Sequence, residues 1–513
     1  MTLSNPKATS RRVREFLRQS YAGEVLRRYG LEKLLIDHPT GQKSQIQQLV
    51  DEGKLYELLG AKSPYTFRPR TWSDRAALRR AEERISALTQ HIPPAVNPGS
   101  TSPAEPAVRV LFFLTNSLPY TQSGYTFRSH SLLSALNDRG LVASAITRYG
   151  YPLVVGKMPG TRYESFSGVT YIRQIEWQYP RSLEQRRNAS IKMLIEAAVA
   201  SNAQVLHTTT DYNNALVVSA AARALGIPWI YEVRGELENT WLSRHAPEDQ
   251  EKLKESDFYR LARAQETAAM LGADAVITLS RVSQRNLEAR GVSAEKITVV
   301  PNAVEDHFVG METDPNLLRR ELGLFRPAAQ GGPSIVVGTV SSIVGYEGLD
   351  LLIKAAASLP HIGVLLVGEG DHKPVLEKMV KNLGIGDRVI FTGRKPNERI
   401  WEWYGCLDAF VVPRHNTEVC RTVTPIKPLM AMALGIPVIA SDLPALREIT
   451  GNVARYFEPE NVEALEAVLR EVTPRRKPNS EAVSWAEMHT WQSNADRLVA
   501  MYSRLVSQHS REQ

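Results

Sequence analysis

RTVTPIKPLMAMALGIPVIASD, residues 421–442, encodes a helix and a strand about a single glycine. Thr424 is of N-cap type, and Pro425 suits the first helical position, where its missing N–H costs nothing. Lys427 rides on the first turn, Gly435 supplies the stop, and the apolar run Pro437–Ala440 reads as a buried strand. The amides at 423–426, at the positive end of a helix dipole, would offer donors to phosphate oxygens. Val423, Thr424 and Lys427 are therefore candidate phosphate-binding residues, with Arg414 and Arg421 as neighbouring full charges. The alternative is an ordinary helix of an α/β domain, which accounts for the Gly and Pro but not for the basic cluster.

Outward from this stretch the strand–helix–strand texture repeats. AFVVP (409–413) precedes it, and SIVVGTVSS (334–342), GVLLVGEG (363–370) and RVIFTG (388–393) come before that. An earlier series runs through RVLFFLT (109–115), AQVLHTT (203–209), WIYEVRG (229–235), DAVITLS (274–280) and KITVVPN (296–302), with a helix predicted from about Thr126 to Asp138. Near-continuous apolar strands alternating with helices imply parallel sheets covered on both faces. Two such series predict an α/β fold of two Rossmann-like doubly wound domains, residues 108–305 and 306–480, facing across a cleft. Ligands of open parallel sheets sit beyond the carboxyl ends of the strands, so the loops at 116–125, 234–241, 341–347, 368–373, 394–399 and 413–424 are expected to ring that cleft. The helical segment 481–513 is expected to pack back on the first domain.

Residues 1–90 form a basic helical extension with 17 Lys and Arg against 10 Asp and Glu, so the whole net charge of +7 lies there. Solvated helix faces account for this charge, or else attraction to an anionic membrane surface, a phosphorylated acceptor or a protein partner. Five prolines in residues 91–107 mark a linker. There is no basic stripe elsewhere and no nucleic-acid-binding motif, so no nucleic acid is expected as a partner. No apolar run is long enough to span a bilayer, and no apolar stretch follows the first basic residues as in a secretory signal. Cys406 and Cys420 suit a reducing compartment and form no metal-binding pattern. The expected location is cytoplasmic, with the extension offering peripheral attachment at the inner face of the membrane.

VVPR (411–414) followed by VTPIKPLMAMALGIPVIASDLPALREI (423–449), preceded by VVPNAV (299–304), VGEGD (367–371) and VIFTGR (389–394), resembles family 4 glycosyltransferases. Five motifs occur in the family's order and spacing over roughly 108–507, and YEVRGELENTW (231–241) and YEGLDLLIKA (346–355) point to its bacterial surface-polysaccharide branch. The resemblance implies a retaining enzyme of the GT-B fold, with the acceptor on the first domain and a UDP- or GDP-sugar on the second. The donor base would lie near Arg394, and its diphosphate near 423–427, in reach of Ser341 and Gly368. No metal and no other cofactor is implied, and no Asp-x-Asp pair is present.

Three positions depart from the family's pattern. Its Glu-x7-Glu pair, which contacts the donor sugar and ribose, is replaced by Thr422 and Met430, with Glu418 out of register nearby. An Arg and a Lys common after the second domain's first strand are replaced by Ser341 and Glu347, leaving Arg414, Arg421 and Lys427 to carry positive charge. Thr209 stands where relatives often have a histidine, leaving His207 or Asp211. Loss of one charged hydrogen bond costs about 1.5–3 kcal/mol, which weakens an enzyme without abolishing it. In retaining transfer the donor phosphate can itself serve as base, so its contacts weigh most.

In the first domain, Gly124 in Ser123-Gly124-Tyr125 allows close approach to the donor, or is simply a turn. Arg128 and His130 lie on the following helix. Arg234 and Glu236 are candidates for the acceptor or sugar site because charge at the end of a buried strand is costly unless paired or used; an Arg234–Glu232 pair is the structural alternative. His207 is the candidate catalytic imidazole, or else a satisfied strand-end histidine. The leading function is sugar transfer from a nucleotide-diphosphate donor to a saccharide or lipid-linked acceptor. The alternatives are a catalytically silent binding or scaffold subunit, and another GT-B enzyme such as a nucleotide-sugar epimerase.

Overall fold

The structure, a computed structural model, describes residues 45–59, 72–92, 107–177, 179–180 and 182–511. The chain divides into two compact units. Of the described residues, one contains those up to 278, with 287–298 and 498–511; the other contains 279–286 and 299–497. Each is an α/β layer structure built on a parallel sheet, which is the fold class that the alternation of apolar runs implies.

The sheet of the first unit has eight strands: β1 (Arg109–Leu114), β2 (Val142–Thr147), β3 (Tyr163–Phe166), β4 (Val169–Ile172), β5 (Val205–Thr209), β6 (Trp229–Val233), β7 (Ala275–Thr278) and β8 (Ile297–Val299). Their order is β3-β4-β2-β1-β5-β6-β7-β8, with β4, β2, β1, β5, β6 and β7 paired parallel. The β3–β4 hairpin was not anticipated from the sequence. Its turn, Ser167-Gly168, has both residues at positive φ, and Ser-Gly is a local signal for such a turn.

The second unit has six strands: β9 (Ile335–Val340), β10 (Ile362–Val367), β11 (Val389–Phe391), β12 (Ala409–Val412), β13 (Val438–Ser441) and β14 (Arg455–Phe457). All neighbours are parallel, in the order β11-β10-β9-β12-β13-β14. Alternate strand residues enter two separate cores: Val336, Leu365, Phe410 and Val438 one, Val337, Val364, Val411 and Ile439 the other. Burial on both faces is why these strands read as unbroken apolar runs.

Much of the N-terminal extension (1–44 and 60–71) and most of the linker (93–106) lie outside the described residues. The described part is helical at Gln45–Asp51, Leu55–Leu58 and Trp72–Leu88. Ile46, Leu49, Leu55, Leu58, Ala77, Ala81 and Leu88 join the core of the first unit. Backbone contacts secure them: Phe258 N donates to Gly53 O at 3.0 Å, and Tyr56 N to Asp257 Oδ2 at 3.0 Å. This part of the extension is therefore built into the first unit rather than hung from it. The final helix, Trp491–Arg511, also reaches that unit, where Tyr502 is fully buried and His509 Nε2 lies 2.7 Å from Gly226 O.

Candidate functional site

In the second unit, the loops leaving β9, β10 and β12 meet at one edge of the sheet. Gly368 N donates to Gly393 O at 3.1 Å, and a Cβ at Gly368 would stand 1.8 Å from Ser341 O. A Cβ at Gly348 would stand 1.8 Å from Pro413 O. Only glycine permits these approaches, so the loops form one tight surface. Into it Glu347 brings a buried carboxylate. Arg414 binds it with two arms, Nη2 to Oε1 at 2.9 Å and Nε to Oε2 at 3.3 Å, while Nη1 donates to Val423 O at 3.2 Å. Lys427 Nζ lies 3.6 Å from the same carboxylate. Burial alone would raise the Glu347 carboxyl, but Arg414 and then Lys427 hold it at about 2. Burial also pushes the half-buried Lys427 ammonium below its ordinary value.

These contacts revise two expectations. The helix does not begin at Thr424-Pro425. Thr417 caps a separate short helix, Glu418–Thr422, Val423 leaves it extended, and the next helix spans Lys427–Ala433 with Pro428 in its first turn. Thr424 is therefore no cap. Its carbonyl accepts from Asn302 Nδ2 at 2.9 Å, and its buried Oγ1 has no hydrogen-bond partner among the described residues. Arg414 is not an available charge either, since Glu347 neutralises it. That leaves Lys427 as the partly open cation of this cluster. The Ser341 hydroxyl at the end of β9 is, like that of Thr424, buried and unpaired among the described residues.

The other residues singled out in this unit lie around that edge. Arg421 is exposed and donates to Asn416 Oδ1 at 2.7 Å, and Arg394 is exposed beyond Gly393. Glu418 is exposed, and its carbonyl accepts the Thr422 hydroxyl at 2.9 Å. Met430 packs half-buried against the core. His415, overlooked in the sequence, lies between Asp350 (3.1 Å) and Glu460 (2.6 Å), and Asp350 first and Glu460 next raise it to about 9 against burial. Nothing in one sequence pairs residues so far apart.

The first unit gathers its charged residues differently. Glu232 on β6 is fully buried, with Arg128 Nε at 2.7 Å, Arg234 Nη2 at 2.6 Å and His207 Nε2 at 3.4 Å. Arg234 also donates through Nη1 to Ser129 Oγ at 2.7 Å and Tyr125 O at 2.9 Å. Burial opposes ionisation of Glu232, yet Arg234 and Arg128 hold it well below the usual carboxylate range. His207 is sealed in: its ring stacks on Phe112 at 4.1 Å, and Nδ1 lies 2.6 Å from the Tyr502 hydroxyl. Burial pushes its imidazole pKa down, against the pull of Glu232. The expectation of an open imidazole is not met, because β5 is a central strand and the last helix covers it. Arg234 likewise follows the structural alternative, paired with Glu232.

Arg128 and His130 also turn inward, His130 with Nδ1 2.9 Å from the Tyr171 hydroxyl. Gly124 opens the helix Gly124–Asp138, capped by Ser123, with open space where a Cβ would stand. Glu236 is half-buried beside Asn239; burial and then Glu238 raise its carboxyl. Asp211 caps the helix Tyr212–Leu225. Among the described residues no cluster of His, Cys, Asp and Glu could hold a metal ion, and no helix is long and apolar enough to cross a membrane.

The profile described as a glycosyl transferase 4-like domain matches residues 123–303, and that of glycosyl transferases group 1 matches residues 325–484. 2-Deoxystreptamine glucosyltransferase of Streptomyces kanamyceticus is 29% identical over 239 residues, 45% of this chain and 57% of the relative. D-Inositol 3-phosphate glycosyltransferase of Nocardia farcinica is 30% identical over 249 residues, 45% of this chain and 52% of the relative. The chain spans about half the length of these curated relatives. Sucrose-phosphate synthase from Thermosynechococcus elongatus shares the fold at a TM-score of 0.62 and 19% identity, over 78% of this chain and 99% of that one. With one glycosyltransferase profile on each parallel-sheet unit, the chain belongs to the family 4 glycosyltransferases of the GT-B fold.

Proposed function

We propose that the protein is a retaining, metal-independent glycosyltransferase that moves a sugar from a nucleotide-diphosphate donor to a saccharide or lipid-linked hydroxyl in surface polysaccharide or glycolipid synthesis. The observation that carries this reading is the edge of the second unit, where the Lys427 ammonium and the unpaired hydroxyls of Ser341 and Thr424 lie among loops of glycine-tight backbone. A buried hydroxyl without a partner is costly, and a bound phosphate or sugar hydroxyl would satisfy it. Arg394, Arg421 and Gly368 surround the same edge, and Glu347 fixes Arg414 and Lys427 in place. Gly124 remains a candidate for approach to the donor and Glu236 for the acceptor or sugar site, whereas His207 and Arg234 would act by positioning.

Thr422 and Met430 favour a second reading, a silent relative that keeps the fold for binding, since neither can accept the ribose hydroxyls as a carboxylate would. Incubation with a panel of UDP- and GDP-sugars, following both binding by saturation-transfer NMR and sugar transfer to a saccharide, separates the two. Transfer with the donor's anomeric configuration kept supports the enzyme; binding without transfer or hydrolysis supports the silent relative; inversion overturns the retaining assignment.

A further inference from the structure

The first unit holds a half-open cavity of about 590 Å³, the size of a small-ligand site. One wall is the extension helix Trp72–Leu88, which precedes the residues matched by either family profile. That helix turns Ala77, Ala81 and Leu88 into the core, yet Arg80 and Arg84 occupy the same helical stripe, where apolar residues would be expected. Arg79, Arg80 and Arg84 line the cavity from this side. From the others come Arg148, just past β2, and Arg186 and Arg187 on the helix Leu183–Ala200.

Six arginines thus meet two carboxylates, Glu83 and Asp211, and Asp211 is already engaged in capping, accepting from Asn213 N at 2.9 Å. Among the described residues Arg79, Arg80, Arg84 and Arg187 form no ion pair. The Arg84 guanidinium instead lies over the Phe258 ring at 4.8 Å, and Arg186 over Tyr179 at 5.1 Å. Aromatic faces orient these side chains without neutralising them. Desolvation of the Arg84 guanidinium lowers its pKa, Tyr212 opposes this, and the neighbouring charge of Arg80 adds to the lowering. Arg79, Arg80 and Arg84 are exposed and Arg186 and Arg187 half-buried, yet all five, from two helices, line one concave space, which focuses the field on whatever anion enters. The forked donors of arginine match phosphate oxygens.

We propose that the extension and the first unit together form an anion site for a phosphate or diphosphate ester, so that the acceptor carries such a group. This rests on the transferase reading for the word acceptor, but not for the anion.

The test is titration of the full chain with inorganic pyrophosphate in a Lys427→Ala background, which removes the donor-side cation. We expect binding that weakens at least about tenfold on adding Arg84→Gln and Arg187→Gln and stays within a few-fold with Arg84→Lys and Arg187→Lys. If Arg84→Gln disturbs the packing of Phe258, the exposed pair Arg79→Gln and Arg80→Gln carries the same expectation. No pyrophosphate binding in the background, or equal affinity in the Gln variants, overturns the site. Displacement of pyrophosphate by glucose 1-phosphate identifies a soluble ester, and displacement only by phosphatidic acid vesicles a lipid headgroup; displacement by neither overturns the ester assignment. In the natural Lys427 chain, nucleotide-sugar binding should be untouched by the arginine substitutions. Loss of the anion site with donor binding intact therefore bears on this proposal alone, and absence of donor binding on the transferase reading.

Discussion

Glu232 in the first unit and Glu347 in the second both lie buried near the carboxyl edge of a parallel sheet, and both draw two cationic side chains. Around Glu232 the enclosure is complete: both guanidiniums are almost fully buried, the imidazole of His207 fills the remaining side, and Tyr502 closes over it. Around Glu347 it is not, since Lys427 reaches solvent; unpaired buried atoms occur in both places, Arg234 Nε and His207 Nε2 in the first, the Ser341 and Thr424 hydroxyls in the second, among the described residues. The same ingredients thus make a structural knot in one unit and an unfinished site in the other. Charge at a strand end distinguishes nothing by itself; what matters is whether its partners are all protein.

The largest effect should come from opening the knot. Glu232→Gln leaves two buried guanidiniums uncompensated, which costs about 3–5 kcal/mol, and urea unfolding should show it as a large drop in midpoint. A loss below about 1 kcal/mol would mean that the knot is not sealed. Tyr502→Phe removes the hydroxyl bound to His207 and should cost about 1–3 kcal/mol, since the imidazole nitrogen is left buried and unpaired.

In the second unit His415 sharpens the contrast through pH. Its folded pKa of about 9 lies above its unfolded value, so protonation stabilises the native state. That contribution is whole below about pH 6.5 and is lost as pH rises through about 9, on the order of 2 kcal/mol after allowance for its partial exposure. Unfolding free energies of wild type and His415→Gln across this range should converge at the alkaline end. Smallest is Met430→Glu: the side chain is half-buried against the core, so we expect about 1 kcal/mol of destabilisation. Tighter nucleotide-sugar binding by this variant would nonetheless show that the ribose is loosely read in the natural protein.

The sheets were legible because strands buried on both faces cannot alternate; Val336 and Val337 enter opposite cores, and both must be apolar. The β3–β4 hairpin escaped because its strands are four residues each and only Ser167-Gly168 marks the turn. The start of the Lys427–Ala433 helix was misplaced because two prolines, Pro425 and Pro428, offer the same local signal, and the tertiary neighbours Asn302 and Arg414 settle which is used. Lys427 was legible as a basic residue on a first turn. The pairing of Glu347 with Arg414, 67 residues away, and of His207 with Tyr502, 295 away, was not, because no local pattern encodes it. The basic surplus of the extension was visible, but not that Arg79, Arg80 and Arg84 face a cavity.

The central claim is that the open edge of the second unit holds a donor diphosphate. Titrating a panel of nucleotide sugars into wild type and Lys427→Ala tests it most directly. We expect at least one UDP- or GDP-sugar to bind wild type and to lose at least about 1.5 kcal/mol, roughly tenfold, in the variant, whose melting temperature should barely change. Binding of equal strength in both proteins, or of no nucleotide sugar to either, would contradict it.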